Sequence, residues 1–484
     1  MDLLDTIVAL SVIGVRLAPD TNFDYSLTGG LSKLIFALSA LVGAVIYLVR
    51  RHTQKTRSNE DAWWDILTTL IFVVSLALAA IRWLEFTLIG SAVASDFTQD
   101  YVAAVALRHQ TSLYGAPVAA LAAKIFQFEI MGNYQPEILN FHPPFNALLF
   151  LPISYIPYTS AFISWNIVST LIYVWTIYLL LRAYGLATFR RLQLCTILLV
   201  WEPFSNTVAL GQISTMLAFL IVWGFLLLER EQKETAAGLM FGFATLIKLF
   251  PGLILVYRLL RRRWRCASVM VITIFTGLFL TLIVVGLEDN LYYLHSLLPE
   301  HVRVYGAFPF NISVPSVVRT IFDRTDYTMP AVMAPGAVQG VILLTNGFFL
   351  ALPCLLGFRF AKYDSSENLF ILFCVTMLLI SPITWPHTCL VLLLPMTILW
   401  RDGLIFGQRN ALRLLIVLLF IFSIPDRILV RDVLSRYPPG ATPWYAVIPA
   451  KLALYALLAL WATFSWRMAS YRRGIENEAI VPAG

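Results

Sequence analysis

The sequence predicts an all-α polytopic membrane protein, and three observations carry that prediction. Of its 484 residues 59% are hydrophobic and only 13% charged, whereas soluble domains run at about 45–50% apolar and 25% charged. Apolar runs of roughly 18 to 25 residues recur from Leu31 to Trp466, each long enough to cross about 30 Å of hydrocarbon as a helix. The stretches between them are too short to hold a soluble domain of useful size.

Residues 1–30 form an N-terminal segment whose opening, MDLLDTIVALSVIGVRLA, is interrupted by Asp5 and Arg16 and suits an interfacial helix better than a span. It lacks the basic start and small-residue cleavage site of a signal peptide and is read as retained. A single transmembrane domain, 31–466, follows, with about thirteen spans by hydropathy: 31–49, 65–90, 143–157, 160–182, 191–205, 212–228, 236–257, 267–286, 337–357, 366–384, 389–407, 411–428 and 446–466. Residues 467–484 are a cytoplasmic tail. The formal charge of +7 comes largely from basic clusters at 50–57, 258–265, 359–362, 401–413 and in the tail. With thirteen spans all of these fall on the cytoplasmic side, as basic residues in short loops do. The loop 181–191 is the exception, carrying its arginines outward, which suggests a broken or re-entrant segment nearby.

Three longer loops, 91–142, 287–336 and 429–445, then share the outer face, and their aromatic, His, Pro and Asn content points to function rather than to a linker. Within the first loop, DYVAAVALRHQ and APVAALAAKIFQFEI have the composition and spacing of short interfacial helices, with Arg108 and Lys124 placed to snorkel. The five cysteines, Cys195, Cys266, Cys354, Cys374 and Cys389, show no paired spacing, so neither disulfides nor a thiolate metal site is expected.

Two acids stand at the water boundary after the second span. Asp96 suits a general base acting on a hydroxyl nucleophile, or alternatively caps a helix starting at Phe97. Asp100 lies one turn on and is either a partner carboxylate or a solvated loop acid. Lys248, inside the apolar ATLIKLFPG, is costly unless it faces a polar cavity or a partner.

Six segments occur in a fixed order: DFTQDYVAAVALRHQTSLY (96–114), NFHPPFNALLFLPISYIP (140–157), LGQISTML (210–217), GLMFGFATLIKLFPGLILVYRLLRRRWR (238–265), FNISVPSVVR (310–319) and SPITWPHTCLVLLLP (381–395). Together they resemble the GT-C type glycosyltransferases of glycosyltransferase family 87, over roughly 90–400. The family's best-known members are polyprenol-phosphate-mannose-dependent alpha-mannosyltransferases of phosphatidylinositol mannoside synthesis. The resemblance implies a GT-C helical bundle in a bacterial inner membrane. It implies a polyprenyl-phosphate sugar donor, mannose favoured, and inverting transfer to a lipid or polysaccharide acceptor at the extracytoplasmic face. The family's aspartate, followed by Phe and closely by Tyr, falls on Asp96 as the base, which also brings Asp100 and Tyr101 to the substrate. The histidine of its Ser-Pro-x-x-Trp-x-His pattern falls on His387, near the base or the donor phosphate.

A sugar already joined to phosphate carries its leaving group, so one base and cationic or N–H donors for the phosphate are enough. The candidates for those donors are His142, Lys248, His301, Arg303, Arg319 and His387, although His301 and Arg303 read better as solvated loop residues. Gln212 and Asn311 either bind sugar hydroxyls or cap broken helices. Trp201, Tyr305, Phe308, Trp385 and Trp444 either stack on sugars, as expected for Trp385, or anchor at the interface. Three positions depart from the family pattern: Asp100 where aromatics are common, His142 where Tyr is common, and Gln110 where Gly is frequent. A Mg²⁺ between Asp96 and Asp100 would lack a third ligand, so no metal or other cofactor is expected. The rival readings are a multispan transporter or lipid-carrier flippase and a non-catalytic assembly partner. Transporters place ionisable sites near the midplane and often carry repeats; here the acids gather in the loops and no repeat is visible.

Overall fold

The computed structural model of the chain describes residues 80–89 apart from 82, 96–126, 140–185, 198–199, 201–359, 366–404, 406–422, 426–438 and 440–479. The N-terminal segment, the first span and most of the second, Cys195, and parts of the first loop lie outside them. The described residues are almost entirely helical. Their helices are α1 (Asp96–Arg108), α2 (Gly115–Phe126), α3 (Pro144–Phe150), α4 (Tyr158–Ala183), α5 (Glu202–Leu210), α6 (Ser214–Glu229), α7 (Glu234–Ile247), α8 (Leu253–Leu260), α9 (Trp264–Val284), α10 (Leu287–Tyr292), α11 (Leu298–Tyr305), α12 (Val314–Phe322), α13 (Pro335–Arg359), α14 (Ser366–Ile380), α15 (Leu393–Leu404), α16 (Arg409–Ile421), α17 (Asp426–Ser435), α18 (Trp444–Ala450) and α19 (Leu452–Ala479). The β structure among them is one parallel bridge, Thr328 to Thr442 and Met329 to Pro443, which joins the second long loop to the third.

Four helices are long and apolar enough to cross a membrane: α4, α9, α13 and the Leu452–Ser470 part of α19. Their outward faces carry large apolar side chains, for example Ile272, Phe275, Phe279 and Ile283 on α9 and Leu343, Leu344 and Leu355 on α13. That pattern suits a surface bathed in hydrocarbon, where helices satisfy their own backbone groups.

Several expected spans are broken, for identifiable reasons. The run 143–157 is a seven-residue helix followed by a 3-10 turn at Leu151–Tyr155, with Pro143, Pro144, Pro152 and Pro157 limiting its length, so it is too short to cross. The run 236–257 is a V. Helix α7 ends at Ile247, Lys248 is extended (φ −143°, ψ 140°), Phe250–Gly252 forms a 3-10 turn around Pro251, and α8 runs back. At the far end of this V Arg258 meets Glu229 at 3.4 Å and Arg263 meets Glu234 at 3.1 Å. Gly238 and Gly242 let α7 lie against α9, because a Cβ at either would stand 2.6 Å from the Cys266 carbonyl oxygen or 2.5 Å from the Thr273 Cβ. The run 389–407 starts as a 3-10 helix, Pro386–Leu392, before α15, and 446–466 is split between α18 and α19 at Lys451. Helix α19 continues past 466 to Ala479.

With 143–157 too short to cross, α4 carries Arg182 to the end opposite the first loop, while residues 186–191 lie outside the described residues. Helix α4 starts beside Thr98, bonded to the Tyr158 hydroxyl at 2.9 Å, and ends at Tyr184, which donates to Glu367 at 2.6 Å. Glu367 belongs to a charged network with Arg401, Asp402 and Arg467. Arg182 and Arg258–Arg265 therefore gather at that same end, and the three long loops gather at the other.

Candidate active site

At the loop end, about 1580 Å³ of cavity opens among α1, the α3 approach, the apex of the α7–α8 V, α11, α12 and the 381–388 turn. A site for one small ligand runs at about 300–1,000 Å³, so two substrates have room to meet here.

Asp96 is the first residue of α1 and faces the cavity. Gln212 Nε2 donates to its Oδ2 at 2.5 Å, and Gln99 Nε2 to its Oδ1 at 3.3 Å. Both contacts come from side chains, and among the described residues no backbone N–H is capped by this carboxylate, so the simple capping alternative loses ground. Gln212 is placed by Gly211, the left-handed (φ +62°) residue ending α5, whose carbonyl accepts from Trp165 Nε1 at 2.8 Å. Gln99 in turn accepts from the Phe141 backbone N–H at 3.2 Å, tying the acid to the wall opposite.

Lys248 sits at the apex of the V and lines the same cavity. The helix break explains how a lysine in an apolar run is tolerated: the end of α7 delivers its ammonium to a polar space shared with Asp96. His142 lines the cavity too, with Nδ1 2.7 Å from Asp100 Oδ1, while Asn146 Nδ2 donates to the same oxygen at 3.3 Å. His301 stacks on Phe141 with centroids 4.4 Å apart. Burial first, then the nearby His142 and Lys248, push its imidazole down to about 3, so it stays neutral near pH 7.

His387, only 3% exposed, and Trp385 complete the wall formed by the 381–388 turn. Trp385 packs edge-on against Tyr305 and Phe308, so the aromatic cluster is continuous with α11. Arg319 also lines the cavity, and its Nε lies against Gly306.

Of the ten residues expected at the site, seven line the cavity: Asp96, His142, Gln212, Lys248, Arg319, Trp385 and His387. The other three stand behind it. Asp100 is 1% exposed and holds His142, which rules out a solvated loop acid. Tyr101 is buried among Phe97 and Tyr158 and donates its hydroxyl to the Ile156 carbonyl at 2.8 Å. Asn311 has a fully engaged amide: it donates to the carbonyls of Tyr305, Gly306 and Pro382 and accepts from the backbone N–H of Ser313 and Thr384. It joins the FNIS and SPITW turns rather than reaching for sugar.

The sequence reading missed Gln99, although Asp-x-x-Gln at a helix start is a recognisable reciprocal-capping spacing. It also missed Tyr293, at the start of a short helical turn, and Arg431, within α17, which line the cavity without any local sequence pattern. Arg303 is exposed and pairs with Glu300, as a solvated loop residue would. Arg108 does not snorkel freely; it donates to the Ser154 carbonyl at 2.6 Å and lies over Tyr155. The side chain of Lys124 lies outside the described residues. Trp201 is fully buried against Phe422 and stacks on no cavity surface.

The sequence profile of glycosyltransferase family 87 matches residues 140–382, half of the chain. The chain belongs to glycosyltransferase family 87. The matched stretch includes His142, Gln212, Lys248 and Arg319, while Asp96 lies well before it and His387 shortly after it. Over 345 residues, 68% of this chain and 73% of the relative, it is 28% identical to a polyprenol-phosphate-mannose-dependent alpha-(1-2)-phosphatidylinositol pentamannoside mannosyltransferase of Mycobacterium tuberculosis (strain CDC 1551 / Oshkosh). A protein of the same description from Mycolicibacterium smegmatis (strain ATCC 700084 / mc(2)155) is 27% identical over 341 residues, 69% of this chain and 77% of the relative. A polyprenol-phosphate-mannose-dependent alpha-(1-2)-phosphatidylinositol mannoside mannosyltransferase of Mycobacterium tuberculosis (strain ATCC 25618 / H37Rv) is 22% identical over 345 residues, 66% of this chain and 74% of the relative. The protein is thus a member of a glycosyltransferase family with helices long and apolar enough to cross a membrane.

Proposed function

We propose that this family 87 enzyme moves mannose from a polyprenyl-phosphate donor to a lipid or polysaccharide acceptor, with inversion, at the outer face of a bacterial inner membrane. The observation that carries the reading is the cavity onto which both the Asp96 carboxylate and the ammonium of Lys248, at the break of an apolar helix, open. Asp96 takes the proton of the acceptor hydroxyl as its oxygen attacks C1 of the sugar. The C1–O bond to phosphate breaks on the opposite side and its electron pair stays on the phosphate, beside Lys248 and the wall bearing His387. One displacement inverts the anomeric centre. Gln212 and Gln99 aim the carboxylate.

Mannose is favoured because the relatives are described as polyprenol-phosphate-mannose-dependent. The outer face is favoured because the cavity lies at the end of the helices away from Arg258–Arg265 and Arg401, and basic loops stay in the cytoplasm. The reading needs no metal. Asp96 turns to Gln99 and Gln212 while Asp100 turns to His142 and Asn146, so the two carboxylates share no ligand position.

The test is sugar transfer in lipid nanodiscs from radiolabelled polyprenyl-phosphate sugars to native lipid extract. Asp96→Asn, nearly isosteric, should reduce kcat by about 10²–10⁴-fold with little change in KM. An equally folded variant that matches the wild type would remove Asp96 as the base.

A further inference from the structure

Asp96 and Asp100 both act on Lys248 electrostatically. A donor phosphodiester brings another negative charge close to these two carboxylates, and a further positive group paired with them would offset it. Arg303, Arg319, Arg324 and Arg431 line the same cavity from the second and third loops, but among the described residues none of Arg303, Arg319 and Arg324 pairs with Asp96 or Asp100. His301 does not either, because burial keeps it neutral.

His142 has the geometry to do so. Its Nδ1 is 2.7 Å from the buried Asp100 carboxylate, and Asn146 holds the same oxygen. Among the described residues no protein group engages its Nε2, and the ring lines the cavity. A carboxylate on Nδ1 fixes the Nδ1–H tautomer, so in the neutral ring Nε2 presents a lone pair, and a proton arriving there is supported by Asp100 from the other side. The backbone around the ring is pinned as well: Tyr114 donates to the His142 carbonyl at 2.9 Å, and Asn140 Oδ1 accepts from the His142 N–H at 3.0 Å. The titratable and charged groups around the ring are Asp96 and Asp100 of α1, Lys248 at the apex of the V, His301 of α11, Tyr114, and beyond it Tyr293 and Asp289.

We propose that Asp100 and His142 form a proton-uptake couple, so that binding of the phosphodiester donor draws one proton onto His142 Nε2. The proposal rests on the glycosyltransferase reading above. The imidazolium so formed donates Nε2–H to the phosphate oxygen that gains charge when C1–O breaks. The phosphate passes from one negative charge to two, the acceptor proton goes to Asp96, and His142 keeps its own proton as a hydrogen-bond donor. Asp100 never touches substrate and is a positioning residue.

The test is calorimetric binding of a short prenyl methyl phosphate diester, which does not titrate near neutrality, to the full chain in nanodiscs between pH 6 and 8. Two buffers of different ionisation enthalpy report the protons exchanged. The wild type should take up close to one proton at the upper end, with affinity falling about tenfold per pH unit there. His142→Gln should bind about tenfold more weakly at pH 6 and lose the pH dependence. Asp100→Asn should lose most of the uptake while retaining more affinity than His142→Gln. Thermal unfolding confirms that each variant is folded. Absent uptake in the wild type, or uptake that survives His142→Gln, overturns the proposal; uptake lost only in Lys248→Met would assign the proton to the lysine instead. A wild type that binds with proton uptake yet transfers no sugar keeps the couple and removes the transferase reading. One that transfers sugar without uptake does the reverse, and one that neither binds nor transfers overturns both.

Discussion

Replacing Gly211 by alanine should slow sugar transfer far more than its distance from any substrate suggests. An added Cβ would stand 2.6 Å from the Phe97 Cβ and 2.9 Å from the Phe162 ring. Carbon–carbon packing settles at about 3.5–4.0 Å, so Phe97 has to retreat by about 1 Å. Phe97 is the residue after Asp96, and Gly211 is the residue before Gln212, so the displacement opens the contact that aims the base. A misplacement of about 1 Å at a reacting group costs on the order of 10²-fold in rate. The left-handed backbone (φ +62°) adds about 1–2 kcal/mol for any non-glycine residue, and overpacking adds about 1–3 kcal/mol. Gly185→Ala is the control, because Gly185 is also left-handed (φ +61°) but has no atom within 4 Å of its would-be Cβ. It should be destabilised by the backbone contribution alone and keep its rate. The assay is transfer in nanodiscs at a temperature where both variants are folded, paired with thermal unfolding. If Gly211→Ala loses no more activity than Gly185→Ala, Gly211 does not position Asp96.

Other outcomes follow from the same geometry. Asn311→Ala breaks five hydrogen bonds between the FNIS and SPITW turns and should lower stability by at least about 3 kcal/mol, seen in thermal unfolding. Asp289 accepts from Ser112 Oγ at 2.6 Å and from the Leu113 N–H at 2.8 Å. Asp289→Ala should therefore free the first loop from the second, raising hydrogen exchange at residues 111–114. His301 is neutral when folded and titrates at its ordinary 6.5 when unfolded. The unfolded chain then binds more protons, and stability falls as pH drops from about 6.5 toward 3. His301→Phe preserves the stack on Phe141 and should remove that part of the acid loss in pH-dependent melting. A chelator such as EDTA should leave transfer unchanged in the radiolabel assay.

The sequence disclosed what composition and local pattern encode. Helices in the right regions, three loops that meet, and Asp96 and Lys248 on one cavity follow from hydropathy, loop length and position, and His387 from the resemblance to family 87. It did not disclose where apolar runs fold back. Hydropathy sums residues without regard to backbone, so the run around Lys248 reads as one span although Pro251 turns it into a V. The runs around 143–157 mislead in the same way. Nor did it separate residues that reach substrate from those that hold them. Asp100, Tyr101 and Asn311 are as polar as true ligands, and only tertiary contacts with His142, Ile156 and Pro382 reveal them as supports. Gln99 was within reach of the three-residue spacing from Asp96, whereas Tyr293 and Arg431 depend wholly on long-range packing.

The small parallel bridge between Thr328 and Thr442 bears on how the enzyme matures. It fastens the second loop to a loop that the ribosome makes more than a hundred residues later, and Lys451 then inserts beneath it, donating to the Asn311 carbonyl at 2.6 Å and to Ser316 Oγ at 2.9 Å. Contacts that span so much sequence form late. A nascent chain carrying Asp96, Lys248 and His387 would already possess its chemical groups in the membrane while the chamber around them still gaped. The chamber is therefore closed only once the chain around Thr442 and Lys451 has been made.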